Sequence, residues 1–280
     1  MNRQQKLAAI YEDTLDMIAT TPELKAASEQ SVRLTHLYGE DDWPELKAPT
    51  GAGAVRVTDR RSFEAAMAIA HEMPGKRIAV HNFASSVNPG GGVKNGSSAQ
   101  EESLCRCSTL NASLDQRRMW NDFYIPNRGA GDLMATDACI WSPGIVICKS
   151  DENEPVRLAP EDWVTVDVVT CAAPDLRRSP SNLHHPGTGR DREVSMSELY
   201  ATHRRRARHL LTIAAHEKAR CLVLGAFGCG AFCNDPYLVA NAWHTELEPL
   251  RTYFDLVEFA VFHMPYEAEN YEAFKAEFEG

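Results

Sequence analysis

Residues 88–102 read Asn-Pro-Gly-Gly-Gly-Val-Lys-Asn-Gly-Ser-Ser-Ala-Gln-Glu-Glu. Gly90, Gly91 and Gly92 in a row let the main chain take positive φ and lie flat against a ligand, which an ordinary turn with one glycine does not need. Beyond a polar bend come paired carboxylates, Glu101 and Glu102, at the head of a helix-like run, 98–110. A bare backbone platform beside an acid pair suits cleavage at a sugar held close to the main chain. One carboxylic acid protonates the departing oxygen while positive charge develops on the ring. Ser98-x-x-Glu101 also has the form of a capping box, in which Glu101 satisfies the backbone N–H of Ser98. The spacing therefore leaves two roles open for Glu101, whereas Glu102 has no competing duty.

A second glycine turn follows the apolar run Leu222-Val223-Leu224: Gly225, Gly228 and Gly230, then Asn234-Asp235-Pro236 at the start of a helical pattern. Strand, glycine loop and helix N-terminus together cradle a diphosphate through backbone N–H groups. The spacing is neither that of a P-loop nor a clean G-x-G-x-x-G, so ordinary nucleotide folds fit poorly. Both glycine loops follow apolar strands, and ligands of open α/β sheets bind outside the carboxyl ends of the strands. Phe227, Phe232, Tyr237 and Phe262 read mainly as core, with one or two left to pack on a ribose or adenine face.

Other chemistries find less support. There is no G-x-S-x-G nucleophile turn, and His184-His185 lie in a polar stretch that reads as solvated. Cys105-x-Cys107 and the pair Cys229 and Cys233 do not match the C-x2-C spacing of structural zinc, so no metal site is expected. The eight cysteines read as small buried apolar residues in a reducing compartment. The opening MNRQQKLAAIYEDTLDMIA reads as an amphipathic helix without the apolar segment of a secretory signal, and no apolar run is long enough to span a bilayer. The expectation is a cytoplasmic protein that engages no membrane. A net charge of −10 argues against general nucleic-acid binding. The run His203-Arg204-Arg205-Arg206-Ala207-Arg208 reads as the solvated face of a helix.

The elements that must position these residues alternate in type. Strand-like runs lie at 31–36, 54–58, 77–83, 163–171, 221–224 and 256–263, and 138–147 reads as a strand pair turning at Pro143-Gly144. Helical patterns cover 61–71, 198–218 and 235–248, and residues 174–194 read as a mobile surface loop. Strands joined by crossover helices imply an α/β sheet with helices on both faces, in one domain, 1–280, with an N-terminal extension.

Taken together, the two glycine stretches resemble the bacterial-type poly(ADP-ribose) glycohydrolases. Gly90-Gly91-Gly92, a seven-residue spacer from Val93 to Ala99, and Gln100-Glu101-Glu102 match that family's GGG and QEE signature without a gap. The flanks Asn82-Phe83-Ala84-Ser85 and Ser103-Leu104-Cys105-Arg106 are similar, as is the loop from Gly225 to Asp235. The likeness covers about residues 75–265, with residues 1–70 similar to the family's N-terminal extension. It implies a macrodomain-like mixed sheet between helices, and hydrolysis of ribose–ribose O-glycosidic bonds in poly(ADP-ribose) to release ADP-ribose, with trimming from chain ends. It implies Glu102 as the general acid, Glu101 as a ligand of the adjoining ribose, and Gln100 as their support. Gly90 to Gly92 would line the diphosphate and terminal ribose; Gly228, Cys229, Gly230, Ala231 and Phe232 would wrap the diphosphate from the other side. Phe262 would position the substrate. Neither cofactor nor metal is implied, and the partner is the polymer or an ADP-ribosylated protein. The rival readings are a hydrolase of single ADP-ribose groups and a non-catalytic ADP-ribose-binding module, which needs the loops but not the acid pair.

Overall fold

A computed structural model describes residues 1–177 and 193–280. Its frame is a seven-stranded mixed sheet, β1 (His36–Tyr38), β2 (Ala54–Thr58), β3 (Ile78–Ala84), β4 (Cys139–Ile147), β5 (Val164–Ala172), β6 (Cys221–Leu224) and β7 (Leu256–Ala260), in the order β1-β4-β5-β3-β6-β7-β2. The strands from β5 to β2 run parallel, while β4 is antiparallel to both β5 and β1. Parallel strands are covered on both faces, and the sequence shows it in near-continuous apolar runs. Ile78 and Val80 face one apolar cluster and Ala79 the other; Cys221 and Val223 alternate with Leu222 and Leu224 in the same way.

Helices α1 (Arg3–Thr20), α2 (Pro22–Leu34), α3 (Ser62–Glu72) and α4 (Gln100–Cys107) come before β4 in the chain, with short helical turns between 110 and 130. Phe63 and Ile69 of α3 and Leu104 of α4 pack on the first cluster. Helices α5 (Met196–His216), α6 (Pro236–Leu247) and α7 (Glu269–Glu279) cover the second through Leu210, Leu211, Trp243 and Phe274. Helix α1 lies behind the glycine platform: Thr14 Oγ1 donates to the Arg106 carbonyl at 2.6 Å, and Lys149 Nζ donates to the Ile10 carbonyl at 2.6 Å. No helix among the described residues is long and apolar enough to cross a membrane.

Several expectations from sequence change. Residues 31–34 belong to α2 rather than to a strand, because Leu24, Ser28 and Ser31 form a buried face at helical spacing that outweighs the local strand signal. Residues 139–147 are one bulged strand, not a hairpin. Pro143 cannot donate to the ladder and Gly144 adopts φ +72°, so the register against β5 shifts between Ser142 and Ile145 while the strand continues. The basic run on α5 is solvated only in part: Arg205 and Arg208 are exposed, while His203 and Arg206 are buried. Arg204 and Arg208 pair with Glu246 at 2.6 and 2.9 Å; Arg205 and the buried Arg206 both pair with Asp137. Most of the stretch read as a mobile loop, with His184-His185, falls in 178–192, outside the described residues.

Candidate active site

A cleft of about 830 Å³ opens at the carboxyl ends of β3, β5, β6 and β7. Glu101 and Glu102 form its floor from the first turn of α4. The capping box does not form: the helix begins after Ala99, which makes no side-chain cap, and Glu101 turns instead toward the loop that leaves β3. Glu101 Oε2 accepts the Ser85 N–H at 2.8 Å, and Oε1 accepts the Gly90 N–H at 3.2 Å with the Asn82 amide at 3.4 Å. Glu102 Oε1 accepts the Gly92 N–H at 2.8 Å, and its Oε2 has no hydrogen bond among the described residues. Burial and the neighbouring Glu102 carboxylate push the Glu101 carboxyl up to about 8, against the pull of its N–H donors. The acid pair therefore holds a proton at neutral pH.

The first glycine platform serves these carboxylates directly. A Cβ at Gly91 would lie 2.4 Å from Glu102 Oε1, and the residue sits at φ +57°, so both space and backbone require glycine. Gly91 and Gly92 line the cleft; Gly90 does not, because its N–H is turned to Glu101 and its α-carbon faces the Asn111 side chain. Gln100 is taken up by the scaffold. Its Oε1 accepts the Phe83 N–H at 2.9 Å, and its Nε2 donates to the His81 carbonyl at 2.7 Å and to Ser62 Oγ at 3.0 Å. It thus fixes α4 against the end of β3.

The second loop forms the opposite wall. Gly228, Gly230, Ala231 and Phe232 line the cleft, whereas Cys229 turns its thiol to the Phe227 carbonyl and packs on the second apolar cluster. The main-chain N–H groups of Gly228, Gly230, Ala231 and Phe232 make no hydrogen bond among the described residues. A Cβ at Gly230 would meet nothing within 4 Å. Asp235 caps α6, accepting the N–H groups of Tyr237 and Leu238. An array of unpaired N–H groups before a capped helix can hold an anion without any cation in the loop.

Of the aromatics, Phe227 is core, its ring tilted against His81 at 4.6 Å, and Tyr237 is exposed. Phe232 and Phe262 line the cleft, each beneath a guanidinium: Arg177 at 4.9 Å and Arg61 at 3.9 Å. Neither arginine was singled out by sequence, nor was Arg60, which also lines the cleft. Arg60-Arg61 stands just ahead of α3, where cations oppose the helix dipole, and that mismatch was the available signal. Asp151 was missed as well. It is buried in the cleft wall, where it accepts the Phe63 N–H at 2.9 Å and the Ser103 hydroxyl at 2.8 Å, tying α3 to α4. No group of three His, Cys, Asp or Glu side chains among the described residues is arranged to hold a metal ion.

Residues 5–150 match the family model described as microbial-type PARG, catalytic domain. No curated protein matches the sequence. Among solved structures, the chain is similar to the poly(ADP-ribose) glycohydrolase of Thermomonospora curvata, with TM-score 0.81 and 32% identity over 98% of this chain and 100% of that one. The same enzyme bound to the inhibitor ADP-HPD gives TM-score 0.80 at 32% identity over the same 98% and 100%. The Deinococcus radiodurans enzyme in complex with ADP-ribose gives TM-score 0.78 and 32% identity over 90% of this chain and 97% of that one.

Proposed function

The chain belongs to the microbial-type poly(ADP-ribose) glycohydrolases, and from that premise we propose how its cleft cuts the polymer. The chain is a glycohydrolase of poly(ADP-ribose). In our reading Glu102 is the general acid and base. The observation that carries it is the asymmetry of the pair: main-chain N–H groups hold both oxygens of Glu101, while Glu102 is anchored by Oε1 alone and keeps Oε2 for the substrate. With substrate bound, the proton that the pair holds is delivered through Glu102 to the ribose oxygen that leaves with the next unit. The resulting carboxylate then takes a proton from the water that attacks the ribosyl cation. Glu101 orients the adjoining ribose and the loop from Ser85 to Gly92.

ADP-ribose, which the Deinococcus enzyme binds, is the product and the ligand of this cleft. Its diphosphate lies against the N–H groups of Gly228, Gly230, Ala231 and Phe232, where its charge also stabilises the oxocarbenium-like transition state. Gly91 and Gly92 pack against the ribose, and Phe262 bounds its far side. Chemistry of this kind needs no cofactor. A cleft of about 830 Å³ is the size of a small-molecule site, which supports removal of single units from chain ends. The packing of α1 behind the platform supports residues 1–280 as one macrodomain-like catalytic unit. Eight unpaired cysteines support a reducing, cytoplasmic setting.

The test is to follow products from defined poly(ADP-ribose) beside a mono-ADP-ribosylated protein. Free ADP-ribose should appear from the polymer at the first time points, with the mono-modified target left intact. Early release of oligomers would replace the chain-end reading with internal cleavage.

A further inference from the structure

Four N–H groups of one loop, without partners among the described residues, can face an anion only if carbonyls of that loop are held elsewhere, since a carbonyl turned into the cleft would repel it. One side chain collects two of them, with a third from the loop after β5, while the Gly230 carbonyl accepts the Cys233 N–H at 3.0 Å. Asn234 is buried, and its amide Nδ2 lies 3.0 Å from the Gly228 carbonyl, 3.3 Å from that of Phe232 and 2.8 Å from that of Pro174. Its main-chain N–H donates to the Gly228 carbonyl as well, at 3.1 Å. Gly228 admits this approach because a Cβ there, at φ +79°, would stand 2.7 Å from Asn234 Nδ2. Phe232 O also accepts the Leu176 N–H at 3.0 Å, so one amide ties the 173–177 loop after β5 to the loop after β6.

All three partners of Nδ2 are main-chain carbonyl oxygens, which fixes the amide with its NH2 toward them and Oδ1 away. Oδ1 meets Nε2 of His203 at 2.9 Å, so the imidazole carries its proton on Nε2 and donates it. His203 is buried on α5, and its ring meets Phe227 edge-on at 5.7 Å. It faces Asn234 from the basic run whose other members pair with acids.

We propose that Asn234, oriented by His203, is a positioning residue for diphosphate recognition: it draws the carbonyls of two loops away from the cleft, so that the N–H groups between them face the anion. The inference rests on the reading of Gly228 to Phe232 as the diphosphate loop.

The experiment is calorimetric titration of ADP-ribose into the full-length protein and its variants, with KM and kcat on polymer. Asn234→Asp keeps the volume but sets an oxygen against three carbonyls, and should weaken ADP-ribose binding by about thirtyfold or more. His203→Leu should weaken it about tenfold, and His203→Gln, which can still donate to Oδ1, should recover most of that loss. KM should rise in step while kcat on saturating polymer stays within about threefold, because no group at the reacting bond is touched. Wild-type affinity in folded Asn234→Asp or His203→Leu, beside a Gly230→Val protein whose affinity has fallen about thirtyfold, would overturn the positioning role and leave the loop reading standing. Wild-type affinity in Gly230→Val would remove the loop reading itself. If Asn234→Asp does not fold, the histidine pair decides: a loss with Leu that Gln does not regain, or a fall in kcat at constant KM, overturns the proposal.

Discussion

The two glycine loops look alike in sequence and work in opposite ways. In the loop after β3 the glycines make room for the protein itself: a Cβ at Gly91 or Gly92 would fall 2.4 Å from Glu102 or 2.3 Å from Ser97, and the N–H groups of Gly90 and Gly92 are committed to the two glutamates. In the loop after β6 the space at Gly230 is open and four N–H groups have no partner among the described residues. The first loop is an internal clamp that builds a reactive carboxylate pair. The second leaves N–H groups that no described residue takes up, which suits it to the diphosphate in the proposed reading. A run of glycines thus signals close approach, but what approaches is decided by whether the N–H groups already have partners.

The largest expected effect tests what the clamp holds. Glu102→Gln keeps the acceptor for the Gly92 N–H but has no transferable proton, so turnover should fall by about a hundredfold or more. ADP-ribose affinity measured by calorimetry should stay near wild type. A fully active, folded variant would remove the catalytic assignment.

Substituting one glycine in each loop sharpens the contrast. Gly230→Val should cost ADP-ribose affinity about thirtyfold, by restricting the loop and filling the anion's space, with no change in melting temperature. Gly91→Ala should do the reverse. Its Cβ meets a buried carboxylate at a left-handed backbone, so stability should drop by about 1–3 kcal/mol and kcat with it. Equal behaviour of the two variants in thermal melts would break the comparison.

A smaller effect concerns Glu101. Burial, with the neighbouring Glu102, pushes its carboxyl from an ordinary value of 4.5 up to about 8 in the folded chain. The folded state therefore favours the protonated form. That contribution is fully present below about pH 4.5 and is lost as pH rises through about 8, a few kcal/mol at most. Melting temperature should decline across this window in the wild type, and Glu101→Gln should flatten the decline. An unaltered pH profile in the variant would show that the pair does not hold its proton on Glu101. The smallest expected effect is none: with acid, base and anion site supplied by carboxylates and backbone, chelation by EDTA should leave polymer hydrolysis unchanged. Loss of activity restored by zinc or magnesium would require a different mechanism.

The sequence by itself determined most of the strand runs, the helices read at 61–71, 198–218 and 235–248 to within a residue or two of their starts, the two glycine loops and the acid pair. Those signals are local: alternation along a strand, helical spacing, a cap, a missing Cβ. Strand 54–58 and strand 221–224 emerge with the boundaries read from their letters. Only the tertiary structure decided what the side chains do. Glu101 was equally eligible as a cap until the N–H groups of Ser85 and Gly90 reached it from the preceding loop. The basic run keeps exposed arginines, but Asp137 and Glu246, both distant in sequence, pair with them and with the buried Arg206. Arg61 and Arg177 come to one cleft from opposite sides of the sheet order, by way of β2 and β5. Periodicity records which face of an element is buried. It does not record which neighbour buries it, because that neighbour is set by sheet order and crossover connections, and the hydrogen bonds that choose between two glutamates are made only after the strands have assembled.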